Sequence, residues 1–116
     1  MFKKVYISLL VLFPLFAISQ KATEDGVKDL EDLSSESAFI DGVKEYVAEN
    51  YAKAANIFES VLDKYEPAAG IYHMLSKSYL ELNEITKASS AAKATLAFDK
   101  ENLFYQKYYA DILYKQ

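Results

Sequence analysis

The side chains able to do chemistry are few and scattered. One histidine, His73, stands alone, and there is no cysteine. A thiol nucleophile, a disulfide framework, a Cys-based zinc site and lipid attachment through Cys are therefore excluded. A catalytic histidine needs a paired nucleophile or acid, and none joins His73. A lone histidine on a helix reads instead as a surface or groove residue. Glu45 and Glu49 are four apart and Glu81 and Glu84 three apart, spacings that can brace a metal. No histidine or third carboxylate joins either pair at ligand spacing, so both read as solvated helix faces. Gly26, Gly42 and Gly70 are too dispersed to cradle a phosphate. All 13 basic residues are Lys. Bidentate guanidinium forks are absent, and no basic stripe suited to nucleic acid is present. The expectation is a protein without enzymatic activity, cofactor or metal.

The elements that must position these side chains are helical. The chain has 116 residues, 52% apolar and 26% charged, which is one domain's worth of folding sequence. Three Gly and two Pro are too few for a turn-dense sandwich or barrel. Residues 1–19 read as a signal peptide. Lys3 and Lys4 form a positive head, and Val5 to Ile18 is apolar except for Ser8 and Pro14. As a helix this run would reach roughly 21 Å, short of the ~30 Å hydrocarbon core of a bilayer. Ala17-Ile18-Ser19 supplies a small-x-small cleavage pattern, with cleavage after Ser19 or Gln20. A buried N-terminal helix and an uncleaved anchor are the alternatives. Loss of the leader leaves eleven Lys against 17 acidic residues, a net charge of −6. Such a chain repels nucleic acid and anionic membranes. The expected location is the periplasm or cell envelope.

Residues 20–34 read as an acidic linker, carrying Glu24, Asp25, Asp29, Glu31 and Asp32. Val27, Leu30 and Leu33 make one weak helical stripe, and Gly26 counts against it. Ser34 or Ser35 can cap the first clear helix, whose apolar stripe is Phe39, Val43, Tyr46 and Val47. Asn50 ends it and can cap a second, with Tyr51, Ala54, Ala55, Phe58, Val61 and Leu62. Pro67 stands at a first-turn position after a Lys64-Tyr65-Glu66 turn. A third helix carries Ile71, Tyr72, Leu75, Tyr79, Leu80 and Leu82. Asn83 breaks it and can cap a fourth, with Ile85, Ala88, Ala91, Ala92, Leu96 and Phe98. After a polar Asp99–Asn102 turn, a fifth runs from about Leu103 to Tyr114. No segment alternates long enough to be a strand.

The helix pairs recur. Tyr51 and Ile85, Ala54 and Ala88, Leu62 and Leu96, and Ser76 and Ala110 are all separated by the same interval. Two helices per unit with a period of about 34 residues resemble the tetratricopeptide repeat. Repeat one reads Phe39, Gly42, Tyr46, Tyr51, Ala54, Phe58, Leu62 and Pro67. Repeat two reads Tyr72, Leu75, Ser76, Tyr79, Ile85, Ala88, Ala92 and Leu96. Gly42, Ala54, Ser76, Ala88 and Ala110 fall where the family keeps small residues at close helix crossings. The first inter-helix turn looks one residue short, Tyr46 to Tyr51 against Tyr79 to Ile85. Lys100 stands where the family usually has Pro, and Ala92 where an aromatic is common. The fold expected over residues 35–116 is all-α, a tetratricopeptide-like helical-hairpin solenoid of about two repeats plus a C-terminal helix.

The resemblance implies a protein-binding module, a scaffold or adaptor; the alternatives are a self-associating structural solenoid fragment and an accessory subunit of an envelope complex. In the family, the first helix of each pair lines a concave groove that receives a peptide or helix. Transferred by alignment, the groove residues are Ile40, Lys44 and Val47, then His73, Lys77 and Leu80, then Lys107, Asp111 and Tyr114. Four of these nine are Lys or His in an otherwise acidic chain, a mixture suited to an acidic or C-terminal peptide. The alternative is that Lys44, Lys77 and Lys107 only solubilise exposed faces. The family's clamp for a terminal carboxylate is not carried over, because Ile40 and Val47 do not supply it. The last helix holds Phe104, Tyr105, Tyr108, Tyr109 and Tyr114, too many rings for one buried stripe. Some must face outward, which suits self-association through this helix, a solenoid cap or the start of a further unit. Lys-only, Tyr-rich usage and the Ser19-Gln20 leader end resemble exported envelope proteins of Bacteroidetes-type bacteria.

Overall fold

In a computed structural model, the structure describes residues 30–116. The signal-peptide reading of residues 1–19 and most of the linker reading fall outside the described residues. Ser35–Gln116 is one compact unit, and residues 30–34 fall outside it. The described residues form five helices without a strand: α1 (30–47), α2 (Tyr51–Lys64), α3 (Ala69–Glu81), α4 (Ile85–Phe98) and α5 (Leu103–Lys115). α2 packs on α3, α3 on α4 and α4 on α5. The unit is an all-α, solenoid-like run of helical hairpins.

The period is kept to the residue. α4 begins and ends one full period after α2, and α5 begins and ends one full period after α3. The two turns within hairpins are built alike. Glu49 and Asn83, again one period apart, both adopt left-handed backbone, with φ of 65° and 60°. The Glu49 amide donates to Tyr46 O and the Asn50 amide to Glu45 O, at 3.0 and 2.9 Å. Asn83 donates to Leu80 O and Glu84 to Tyr79 O at the same two distances. Each is a Schellman termination, which satisfies the last free carbonyls of the helix. The first turn is therefore not one residue short. Its length matches the second, and Tyr46 corresponds to Leu80, with Glu45 in the place of Tyr79.

Several local expectations are corrected. Ser34 and Ser35 do not start a helix; they lie inside α1, which is already helical at residue 30. The run from Leu30 to Asp41 contains neither Gly nor Pro, so nothing breaks the helix at the two serines. Asn83 ends α3 by its backbone, and Glu84 takes the N-cap position of α4 without a side-chain cap. Asn50 is at the N-cap of α2, but its amide donates to Glu45 Oε2 at 2.8 Å instead of capping. Pro67 lies one residue before the N-cap of α3, not in its first turn. The capping side chain that forms is Asn102, whose Oδ1 accepts from Phe104 N at 3.0 Å and Tyr105 N at 3.3 Å.

Small residues decide how closely the helices approach. Gly42 of α1 faces the fully buried Phe58 ring of α2; a Cβ there would sit 2.5 Å from a ring carbon. Ser76 of α3 is wholly buried and donates its hydroxyl to the Ala88 carbonyl of α4 at 2.7 Å. Around these crossings lie two clusters. The first joins Ala54, Ala55, Phe58 and Val61 to Ile71, Leu75 and Ala91, with Phe39, Val43 and Tyr46 of α1 against it. The second joins Ala88 and Ala92 to Ile112, with Leu80, Tyr108 and Tyr109 against it. Ala110 does not lie at a crossing; it is exposed on α5. Replacing Gly42 by Ala sets a gain in helix propensity against overpacking of a ring that has nowhere to go. The net is expected to be a loss of about 1–2 kcal/mol in urea unfolding, partly recovered when Phe58→Leu is added.

Candidate functional site

α1, α3 and α5 hold the same place in successive hairpins, and side chains on their common face touch. Between α1 and α3, Lys77 Nζ stands 5.0 Å above the centre of the Tyr46 ring. Tyr46 in turn meets Tyr51 edge-on at 5.2 Å. Between α3 and α5, His73 packs against Tyr108, Tyr105 and Phe104 at centroid distances of 4.8, 5.1 and 5.4 Å. Phe104 and Tyr108 stack with 22° between their planes. One continuous surface thus carries a cation, an imidazole and a wall of rings.

Burial tunes the titratable groups here. It pushes the His73 imidazole below its ordinary range, and the Lys77 charge adds to the effect. Burial raises the Tyr46 phenol, helped by Glu81 and then Tyr51. Burial also raises Tyr108; the Ser76 hydroxyl opposes this, while Tyr46 and Glu81 reinforce it. Ser76 directs its proton to Ala88, however, and Tyr108 Oη is left buried without a hydrogen-bond partner. His73 Nδ1 is buried without one as well. Lys77 is half-buried, and no carboxylate lies within ion-pair distance of it among the described residues.

The structure brings some of the anticipated groove residues together and not others. His73 and Lys77 lie on the shared face. Leu80 is half-buried and packs into the second cluster. Lys107 pairs with Asp111 at 2.9 Å on the exposed side of α5, and Tyr114 is 94% exposed. Ile40, Lys44 and Val47 are all exposed on α1, but stand one residue out of register with the other two sets. The repeat period makes Phe39, Val43 and Tyr46 the counterparts of His73, Lys77 and Leu80. Phe39 and Val43 serve the core, with Phe39 against Phe58 at 5.7 Å. Tyr46 is the residue that sequence reasoning left out of the groove, although its distance to Leu80 carries the signal. Phe104 and Tyr108 were legible only as surplus rings on the last helix.

A second groove, about 450 Å³, opens between α2, α3 and α4. Its charged groups are already engaged. The Tyr79 hydroxyl donates to Glu59, and Lys87 pairs with Glu84 at 3.1 Å while standing 5.5 Å over the Tyr79 ring. The face of α1, α3 and α5 is the better candidate because its cation is uncommitted. Among the described residues no group of three or more His, Asp or Glu is placed to hold a metal, and no helix is long and apolar enough to cross a membrane.

Because folding depresses the His73 pKa, the unfolded chain binds the proton more readily. The stability this residue confers is complete above its unfolded pKa, about 6.5, and is lost as pH falls through that value toward the folded one. Thermal melts followed by circular dichroism should drop between about pH 7 and pH 5, and His73→Phe should flatten that part of the profile. No protein-family model matches this chain, and a search of curated proteins returns no match.

Proposed function

We propose that this chain is a non-catalytic, tetratricopeptide-like interaction module that takes an extended acidic peptide on the face shared by α1, α3 and α5. The observation that carries the reading is Lys77, a half-buried residue whose ammonium stands above the Tyr46 ring with no carboxylate in ion-pair range among the described residues. A cation held in place by an aromatic platform loses little side-chain freedom on binding an anion. The neighbouring rings of His73, Tyr108 and Phe104 offer flat apolar surface for the side chains of an extended strand. The repeated helix bounds and twin Schellman turns support the tetratricopeptide-like assignment. The mechanism is preorganisation: rigid hairpins present the face, and the partner supplies the complementary charge.

Binding is tested with fluorescent short peptides bearing acidic, neutral or basic C-termini. Acidic peptides should bind best and weaken with added salt. Lys77→Glu should reduce their affinity by at least about tenfold, and Lys77→Met should fall between. Equal binding of neutral peptides, untouched by Lys77→Glu, would sink the assignment.

The leader pattern supports export, with the periplasm or cell envelope as the place of action. Fractionation of cells expressing the full chain should recover a mature form beginning at Gln20 or Lys21. Recovery of the intact chain in the cytoplasm overturns this part.

A further inference from the structure

Glu81 stands four residues beyond Lys77 and is the last residue of α3. It is exposed, and no lysine lies within ion-pair distance of it among the described residues. Besides burial, its charge helps raise the Tyr46 and Tyr108 phenols of α1 and α5, so it looks onto the face those helices share with α3. Lys107 and Asp111, at the same spacing on α5, close on each other at 2.9 Å. Lys77 is instead drawn over the Tyr46 ring, and Glu81 is left to water. α3 does not neutralise its own end either. Its last turn holds no basic side chain, so the negative pole of the helix adds to the Glu81 carboxylate.

His73, Lys77 and Glu81 therefore form a ladder along one side of α3, in the order aromatic, positive, negative. Its rungs are four residues apart, about 6 Å of helix rise. Side chains on one side of an extended strand recur every second residue, about 6.6 Å. A strand lying along α3 thus brings successive same-side residues to successive rungs. An apolar residue meets the rings of His73, Tyr108 and Phe104, an acidic one meets Lys77 and a basic one meets Glu81. A run of acidic residues gains at Lys77 and loses at Glu81. Moving the basic residue by one position turns it to the far side of the strand.

We infer that the ligand of this face is an extended peptide carrying an apolar, an acidic and a basic residue at alternate positions, and that Glu81 selects the basic one. This rests on the peptide-binding reading and narrows it, from acidic peptides at large to those in which opposite charges stand two residues apart.

The test is fluorescence anisotropy of the full chain with labelled peptides at about 0.05 M salt. The alternating peptide carries one Leu, one Glu and one Lys at every second position among Ser residues, and is made in both chain directions. Its controls move the Lys next to the Glu, or replace the Lys by Gln or by a second Glu. The tighter of the two directions should bind about threefold to fivefold better than the moved-Lys and Gln controls, and the second Glu should weaken binding below the Gln control. Glu81→Gln should bring the alternating and moved-Lys peptides to equal affinity. Glu81→Lys should turn the preference toward the second Glu. Circular dichroism of each variant verifies that the helices are intact. Equal affinity of the alternating and moved-Lys peptides for the wild-type chain overturns the inference, as does a preference that survives Glu81→Gln. In either case, binding that is still lost in Lys77→Glu leaves the peptide-binding reading standing. No binding of any peptide in the set overturns both.

Discussion

The close approach of α1 to α2 depends on what is missing at Gly42. With only a hydrogen there, the Phe58 ring lies against the neighbouring helix and fills the space between them. The same economy operates at Ser76, where a short side chain both permits contact and ties α3 to the Ala88 carbonyl. Dispersion contacts at such distances fall off steeply with separation, so a crossing relaxed by one methyl group loses many contacts at once. The common face exists because these crossings hold α1, α3 and α5 near enough for Lys77 to meet Tyr46 and for His73 to meet the α5 rings.

Much of this was legible in the amino-acid sequence, and the reason is periodicity. Tyr51, Ala54 and Leu62 find Ile85, Ala88 and Leu96 at one constant spacing, and helix boundaries follow it to the residue. What misled was local resemblance between residues of like type. Tyr46 and Tyr79 are both tyrosines near a helix end, yet the backbone pairs Tyr46 with Leu80. Turn geometry settles such registers, and here it is carried by Glu49, a residue whose type gives no hint of left-handed backbone. Ser34 and Ser35 misled for a related reason. A cap preference is worth about 1 kcal/mol, and it marks a helix start only where something stops the helix from running on; no Gly or Pro does so here.

The candidate site was only partly visible because it is built across elements. His73 and Lys77 could be named from their places on one helix. Their surroundings could not, since Tyr46 precedes Lys77, and Phe104 follows His73, by most of a repeat. Aromatic residues on the last helix looked excessive for a buried stripe. The structure resolves the excess into two groups: Tyr105, Tyr108 and Tyr109 turn inward, while Phe104 and Tyr114 remain largely in water. His73 is covered by Phe104, Tyr105 and Tyr108, so the burial that shifts a group on α3 comes from the helix that follows two places later.

Each helix of the unit leans mainly on the ones next to it in the chain. Contacts of this kind close short loops, and the entropy lost in forming any one of them is modest. Fraying at either end should then cost little more than the last hairpin's own contacts, leaving the middle intact. Mechanically, such a stack is a short spring: small tilts at Gly42 and Ser76 add along its length, and a hand pulling on α5 would feel the compliance of every crossing in series.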